Sequence, residues 1–228
     1  MSAPNKSLGQ HWLRDRGVLA HIADCAEIDK NDTVLEIGPG LGTLTSELLR
    51  RAGKVIAVEF DPELARKLPS QFPGTNLEVV TSDILSYDLS GLSMGYKVVA
   101  NVPYYITSKI VQMLMTATNK PSISVLLVQK EVAERLAAEP GNMSILAVSA
   151  QIFADISLGE VVKAELFTPP PKVDSQVVIL KTRKAPFLTD VSESDFFRVV
   201  KSADISPDVR AEALDLESWV RLTRIVHP

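Results

Sequence analysis

Three glycines, three carboxylates and one amide carry the chemistry open to this chain. Gly38, Gly40 and Gly42 stand in Glu36-Ile37-Gly38-Pro39-Gly40-Leu41-Gly42-Thr43, on the heels of the apolar run Thr33–Ile37. A Cβ at such a turn would block both the left-handed backbone and the approach of a ligand, so this spacing brings bare backbone to a nucleotide-like group. Glu59 closes the next apolar run, Lys54–Phe60, at an offset from Gly38 where a carboxylate can accept hydrogen bonds from a ribose. The dinucleotide fingerprint wants a third glycine where Thr43 stands. A nucleoside ligand without a pyrophosphate is therefore preferred over NAD. A glycine-rich turn with no ligand is the bland alternative, and Glu59 argues against it.

Asp83 lies just past Leu77–Val80, where it could accept the exocyclic amine of an adenine or simply cap a turn. Glu36, Glu59 and Asp83 thus sit at or beyond the ends of three successive strands. A fourth strand, Tyr96–Ala100, runs into Asn101-Val102-Pro103-Tyr104-Tyr105. Proline fixes the backbone, so the Asn101 side-chain oxygen and a neighbouring carbonyl can converge on an –NH2 group while a tyrosine face stacks on a flat base. An ordinary strand-to-helix turn would use the same residues. Later, Phe167-Thr168-Pro169-Pro170-Pro171 forms a stiff loop that holds Phe167 in a fixed place.

The elements that must position these groups follow from periodicity. Helical spacing runs over Val18–Ile28, the stretch after Gly42, a helix started by Asp61-Pro62-Glu63, one capped by Thr107, then Gln129–Ala138 and Met143–Phe153. Buried-strand patterns cover Thr33–Ile37, Lys54–Phe60, Leu77–Val80, Tyr96–Ala100 and Ser122–Val128. Glu160–Leu166 and Ser175–Lys181 bracket the proline loop as the last two strands. Leu8–Leu13 reads as an irregular segment ahead of any regular structure. From Ala185 the pattern changes, and Ser192–Lys201 and Leu216–Val226 read as amphipathic helices of a small all-α tail. The division expected is residues 1–184 and 185–228.

Composition sets the outer bounds. The chain has 228 residues, 46% of them hydrophobic and 23% charged, as in ordinary globular proteins. No apolar run is long enough to span a bilayer, and the N-terminus lacks a signal peptide's pattern. One cysteine suits a reducing cytoplasm, and three scattered histidines give no metal cluster. The net charge of −4 lacks the basic footprint of a nucleic-acid binder, although Lys6, Arg14 and Arg16, and later Lys181, Arg183 and Lys184, cluster locally. With no exposed apolar stripe, a monomer is expected.

In order, LGQHWL, VLEIGPGLGTLT, VIAVEFD, TSDIL, NVPYYI and FTPPPKVDS resemble the ribosomal RNA adenine dimethyltransferases, the KsgA/RsmA family, which share their fold with the Erm methyltransferases. The likeness covers residues 6 to about 201 closely, and Leu41 and the VDS after the proline loop are similar to the housekeeping branch. It implies an α/β fold: a Rossmann-like seven-stranded S-adenosylmethionine-dependent methyltransferase sheet ending in an antiparallel hairpin, with a small all-α C-terminal domain. It implies S-adenosylmethionine above Gly38, Gly40 and Gly42, with Glu59 on its ribose, Asp83 on its adenine and His11 and Leu13 closing over it. Asn101, also bordering the cofactor, would hold the target adenine with the backbone after it, Pro103 and Tyr104, and Phe167 would pack on the base. The implied reaction is double N6-methylation of two adjacent adenosines near the 3′ end of small-subunit rRNA, on an immature 30S subunit, with no metal and no membrane.

Two departures stand out. Position 11 is His where the family usually has Asn; a backbone contact is indifferent to this change. The family's basic helical segment after FFRVVK is missing, since Lys201-Ser202-Ala203-Asp204 leads almost directly to Ile205-Ser206-Pro207-Asp208. Either this branch has lost it, or the protein carries it and it is disordered. The second is favoured, because so short a continuous tail would leave its helices little to pack on. An Erm-type 23S rRNA methyltransferase and a non-catalytic RNA-binding assembly factor are the alternatives; the intact Asn101-Val102-Pro103-Tyr104 favours a working catalyst.

Overall fold

The structure is a computed structural model that describes residues 10–185, 187–188, 191–203 and 214–226. Lys6, Leu8, Gly9, His227 and the junction from Asp204 to Asp208 lie outside the described residues. In chain order the elements are β1 (Trp12–Leu13), α1 (Arg16–Cys25), β2 (Thr33–Ile37), α2 (Thr43–Arg51), β3 (Lys54–Glu59), α3 (Pro62–Lys67), β4 (Leu77–Thr81) and β5 (Lys97–Asn101). They continue as α4 (Thr107–Thr116), β6 (Ile123–Gln129), α5 (Lys130–Leu136), α6 (Ile145–Gln151), β7 (Ala154–Val162), β8 (Phe167–Thr168), β9 (Ser175–Thr182), α7 (Glu193–Ala203) and α8 (Leu216–Val226).

Seven strands form one sheet in the order β4-β3-β2-β5-β6-β9-β7. The first five are mutually parallel, and β9 runs antiparallel to both β6 and β7. Between β2 and β5 the order reverses, and in an open α/β sheet a crevice opens there beyond the strands' carboxyl ends. Alternation along each strand feeds two cores. Leu35, Ile37, Ile56, Val58 and Val98 pack with Ile110, Leu114 and Leu136 on one face. Val34, Val55, Val99 and Val125 pack with Leu19, Ile22 and Leu48 on the other. Each such side chain stabilises the fold by roughly 1.5–3 kcal/mol through burial.

Several elements depart from the sequence expectation. Trp12–Leu13 is a strand, pairing antiparallel with β8 through Trp12 opposite Thr168 and Leu13 opposite Phe167. Two residues carry no readable period, so only the fold reveals this pair. Helix α1 stops at Cys25, three residues early, because the chain turns through Ala26 into Glu27 at φ 51. Helices α5 and α6 are shorter at both ends than their apolar runs. Thr107 does not cap α4: Ile106 occupies that place, and the Thr107 hydroxyl donates to the Pro103 carbonyl at 3.4 Å. The strand expected at Glu160–Leu166 is β7, starting at Ala154, and Ala164–Leu166 is a 3₁₀ turn. As an edge strand β7 mixes polar and apolar residues and loses the buried-strand signature.

The tail finds more to pack on than its length suggests. Phe196, Val199 and Val200 of α7 and Leu216, Trp219 and Val220 of α8 share a core with Met143, Ala147, Val148 and Ile152. In the 228-residue sequence Ala203 is followed directly by Asp204-Ile205-Ser206-Pro207, so the expectation that the protein carries the basic segment at this point does not hold.

Candidate active site

The crevice above β2, β3 and β5 is a cavity whose walls include His11, Leu13, Glu36, Gly38, Gly40, Glu59, Asp83, Asn101, Pro103 and Tyr104. Gly38, Gly40 and Gly42 hold φ of 66°, 56° and 79°, the left-handed turn that admits glycine most readily. A Cβ on Gly38 would meet nothing within 4 Å, leaving backbone open to a ligand. On Gly42, which does not line the cavity, it would strike Leu68 Cδ1 at 2.7 Å and Phe72 Cε2 at 2.9 Å. Gly42 serves the helix packing beneath the loop.

Glu59 ends β3 almost fully buried, with Oε2 accepting the Gly40 N–H at 3.0 Å and Oε1 the Asp61 N–H at 2.8 Å. Burial pushes its carboxyl above the ordinary range while those N–H groups pull it back. Each oxygen keeps a further lone pair for a hydroxyl. Asp83 does both things its position allowed: Oδ1 caps a 3₁₀ turn by accepting the Leu85 N–H at 3.0 Å, and the residue lines the cavity. Glu36 is the residue whose state the sequence left open. It is 1% exposed, its Oε2 has no partner among the described residues, and burial pushes its pKa up to about 8, the Glu59 charge adding to the rise and the nearby Thr45 groups opposing it. A carboxylate inside an apolar strand was its signal.

Asn101 ends β5, and its Nδ2 donates to the His11 carbonyl at 3.1 Å. A carbonyl only accepts, so the amide orientation is fixed and Oδ1 remains the acceptor. The Pro103 carbonyl is engaged by the Ile106 N–H at 3.2 Å and by Thr107, leaving the Val102 carbonyl ahead of it in the turn. Tyr104 is braced by a 2.7 Å hydrogen bond between its hydroxyl and Ser175 Oγ. Its ring stacks against His11 with centroids 5.9 Å apart and planes inclined by 19°. His11 Nδ1 donates to the Pro169 carbonyl at 2.8 Å, which ties the ring to the proline loop. Thr43 Oγ1 donates to the Leu13 carbonyl at 3.0 Å, so the strand β1 is pinned across the cavity from both sides.

Phe167 is not brought to the cavity. It is 3% exposed, paired with Leu13 in the core beneath, because β8 uses it to hold β1. Sequence reasoning overlooked Trp12, whose Nε1 lies 3.5 Å from the Cβ position of Gly40, and Ser175, the partner of Tyr104. Neither has a local signal; both are supplied by strands distant in sequence. Among the described residues no group of His, Cys, Asp and Glu is placed to hold a metal ion, and no helix is long and apolar enough to cross a membrane.

A family model described as ribosomal RNA adenine dimethylase matches residues 1–205. A ribosomal RNA small subunit methyltransferase A from Dehalococcoides mccartyi is 39% identical over 251 aligned positions, covering 95% of this chain and 86% of that protein. Since 251 exceeds the 228 residues here, that relative carries residues with no counterpart in this chain. Among solved structures, the 23S rRNA methyltransferase ErmE superposes with a TM-score of 0.76 at 29% identity, covering 93% of this chain and 98% of the other. A dimethyladenosine transferase from Plasmodium falciparum gives 0.77 at 26% identity, with coverage of 93% and 96%.

Proposed function

The chain belongs to the ribosomal RNA adenine dimethylase family, and from that footing we propose how its residues carry out the reaction. It is an S-adenosyl-L-methionine-dependent rRNA adenine dimethyltransferase, and its relatives name small-subunit rRNA as the substrate. The finer substrate is two adjacent adenosines near the 3′ end of that rRNA, each methylated twice on N6, within an immature 30S subunit in the cytoplasm. The protein acts as a monomer, with residues 1–184 as the catalytic unit and 185–228 as a small helical unit.

The cavity suits the cofactor on its own chemistry. Gly38 leaves backbone open, Glu59 keeps lone pairs for two ribose hydroxyls, Asp83 borders the place for an adenine, and Glu36 lines the cavity with an oxygen that has no partner among the described residues. When bound, S-adenosyl-L-methionine supplies an electrophilic methyl group. His11 and Leu13 cover it through their backbone, which accommodates His in place of Asn.

Asn101 Oδ1 and the Val102 carbonyl accept from the target amine. An arylamine nitrogen is a poor nucleophile while its lone pair is delocalised into the ring, and two acceptors favour its tetrahedral form. Pro103 fixes the turn, and Tyr104 offers a face to the base. Phe167 contributes by holding β1 through Leu13. Alignment of this kind can contribute about 7–11 kcal/mol towards a barrier. The observation that supports the reading most is the Asn101 Nδ2 bond to the His11 carbonyl, which leaves the side-chain oxygen as acceptor.

The test is transfer of label from tritiated S-adenosyl-L-methionine to purified small subunits lacking the modification, comparing wild type with Asn101→Ala. Label in N6-dimethyladenosine, lost in the variant, is expected. Cofactor binding with label appearing only in large subunits would support an Erm-type activity, and cofactor binding with no transfer to either subunit an assembly factor.

A further inference from the structure

A second cavity of about 610 Å³ adjoins the first and shares Leu19, Gly40, Leu41 and Thr43 with it as a common wall. Its other lining includes Arg14, Arg16, Ser46, Glu47, Lys67 and Gln71. The volume falls in the range of small-ligand sites and exceeds what a single inorganic ion fills. Two features set its charge. Arg14 and Arg16 are exposed and have no hydrogen-bond or ion-pair partner among the described residues. The carboxylates nearby are already engaged: Glu47 pairs with Arg50 at 3.1 Å and Arg51 at 2.8 Å, Glu63 pairs with Lys67 at 3.3 Å, and Asp15 caps α1 by accepting the Val18 N–H at 2.9 Å. The site is a pocket with two uncommitted guanidinium groups, on a molecule whose net charge is −4.

We infer that this second cavity seats the ribose–phosphate backbone of the RNA strand flanking the target adenosine, with Arg14 and Arg16 on its phosphodiester oxygens. The inference rests on the reading of the first cavity as the methyl-transfer site. The two cavities share the wall at Leu19, Gly40, Leu41 and Thr43, so a strand whose base enters the first cavity can run on past the glycine loop into the second. Guanidinium forks match phosphate oxygens in pairs. On a protein of net charge −4, two neighbouring cations beside the active-site cavity give a polyanion a local point of attraction. Because Arg14 directly follows Leu13 of β1, RNA seated here would bear on the strand that covers the cofactor.

The test compares wild type, an Arg14→Gln/Arg16→Gln double variant and an Arg14→Lys/Arg16→Lys double variant on small subunits lacking the modification. Methyl transfer is followed between 50 and 200 mM salt, as is retention of the particles on a filter, and S-adenosylhomocysteine binding is measured by calorimetry; these conditions span the range where phosphate contacts are strongly salt-dependent, about 0.7 in log–log slope per single-strand contact. The Gln pair should raise KM for subunits about tenfold with kcat unchanged, and flatten the slope by about 1.4, the loss of two contacts. The Lys pair should restore most of the slope, and cofactor affinity should stay at the wild-type value. An unchanged KM and slope would overturn the inference, even if wild type binds pyrophosphate, which would mark a free-anion site. A parallel loss of cofactor affinity would also overturn it, assigning the cavity to closure over the first site. Absence of transfer by wild type would sink the functional reading instead, and the filter-retention slope would still decide the second cavity.

Discussion

Glu36 is where one side chain's environment has a measurable consequence. Its carboxyl is raised to about 8 by burial, against about 4.5 for the group in the unfolded chain. The folded protein therefore holds a proton that the unfolded chain releases, and this group's contribution to stability declines as pH rises from about 4.5 to 8. The limiting slope for one proton is about 1.4 kcal/mol per pH unit. Glu36→Gln removes that dependence, so its stability relative to wild type should rise between pH 6 and pH 8, as read by urea unfolding at both values. A difference that is flat across this interval would show that Glu36 is ionised in the free protein. At the same scale Asn101 was legible in the sequence as an amide after a buried strand. The direction of its oxygen was not, because that depends on the His11 carbonyl, ninety positions away in the chain.

Among elements, the glycine loop and the β1–β8 pair divide the work of shaping the cavity. Gly42 is the glycine whose role is packing: its φ of 79° and the 2.7 Å approach of Leu68 Cδ1 to a Cβ position make any side chain costly. Gly42→Ala should destabilise by more than about 1 kcal/mol through strain alone. It should also move Leu68 and Phe72, which a urea midpoint together with the near-ultraviolet signal would report. Equal midpoints would mean that the loop absorbs the methyl group without strain. The sequence identified the loop from three glycines but not the division of labour among them. Likewise it placed Phe167 on a rigid loop yet could not show that β8 turns the ring into the core, against Leu13.

For the whole molecule, the tail decides how far the fold is one cooperative body. Trp219 is 2% exposed in a core shared by α6, α7 and α8, so α6 is buried from both sides. Trp219→Ala should cost about 3–5 kcal/mol and lower hydrogen-exchange protection in α6 as well as α8. Loss of protection confined to α8 would make the tail an independent unit. At the opposite end of the sheet, Lys97 is buried and bridges Asp32 at 2.8 Å and the Glu27 carbonyl, joining the end of α1 to the starts of β2 and β5. These contacts hold the sheet's lower edge while the carboxyl ends of its strands stay open to ligand.

The sequence by itself determined the strand–glycine–helix unit, the succession of parallel strands and the place of Glu59, Asp83, Asn101 and Tyr104 at or just beyond strand ends, because each of these writes a local pattern: a period, a turn residue, a carboxylate at a strand end. Tertiary structure alone decided the burial and charge state of Glu36, the β1–β8 strap, the orientation of the Asn101 amide and the second cavity beside Gly40. These depend on atoms that meet across long stretches of chain, and no local spacing encodes such a meeting.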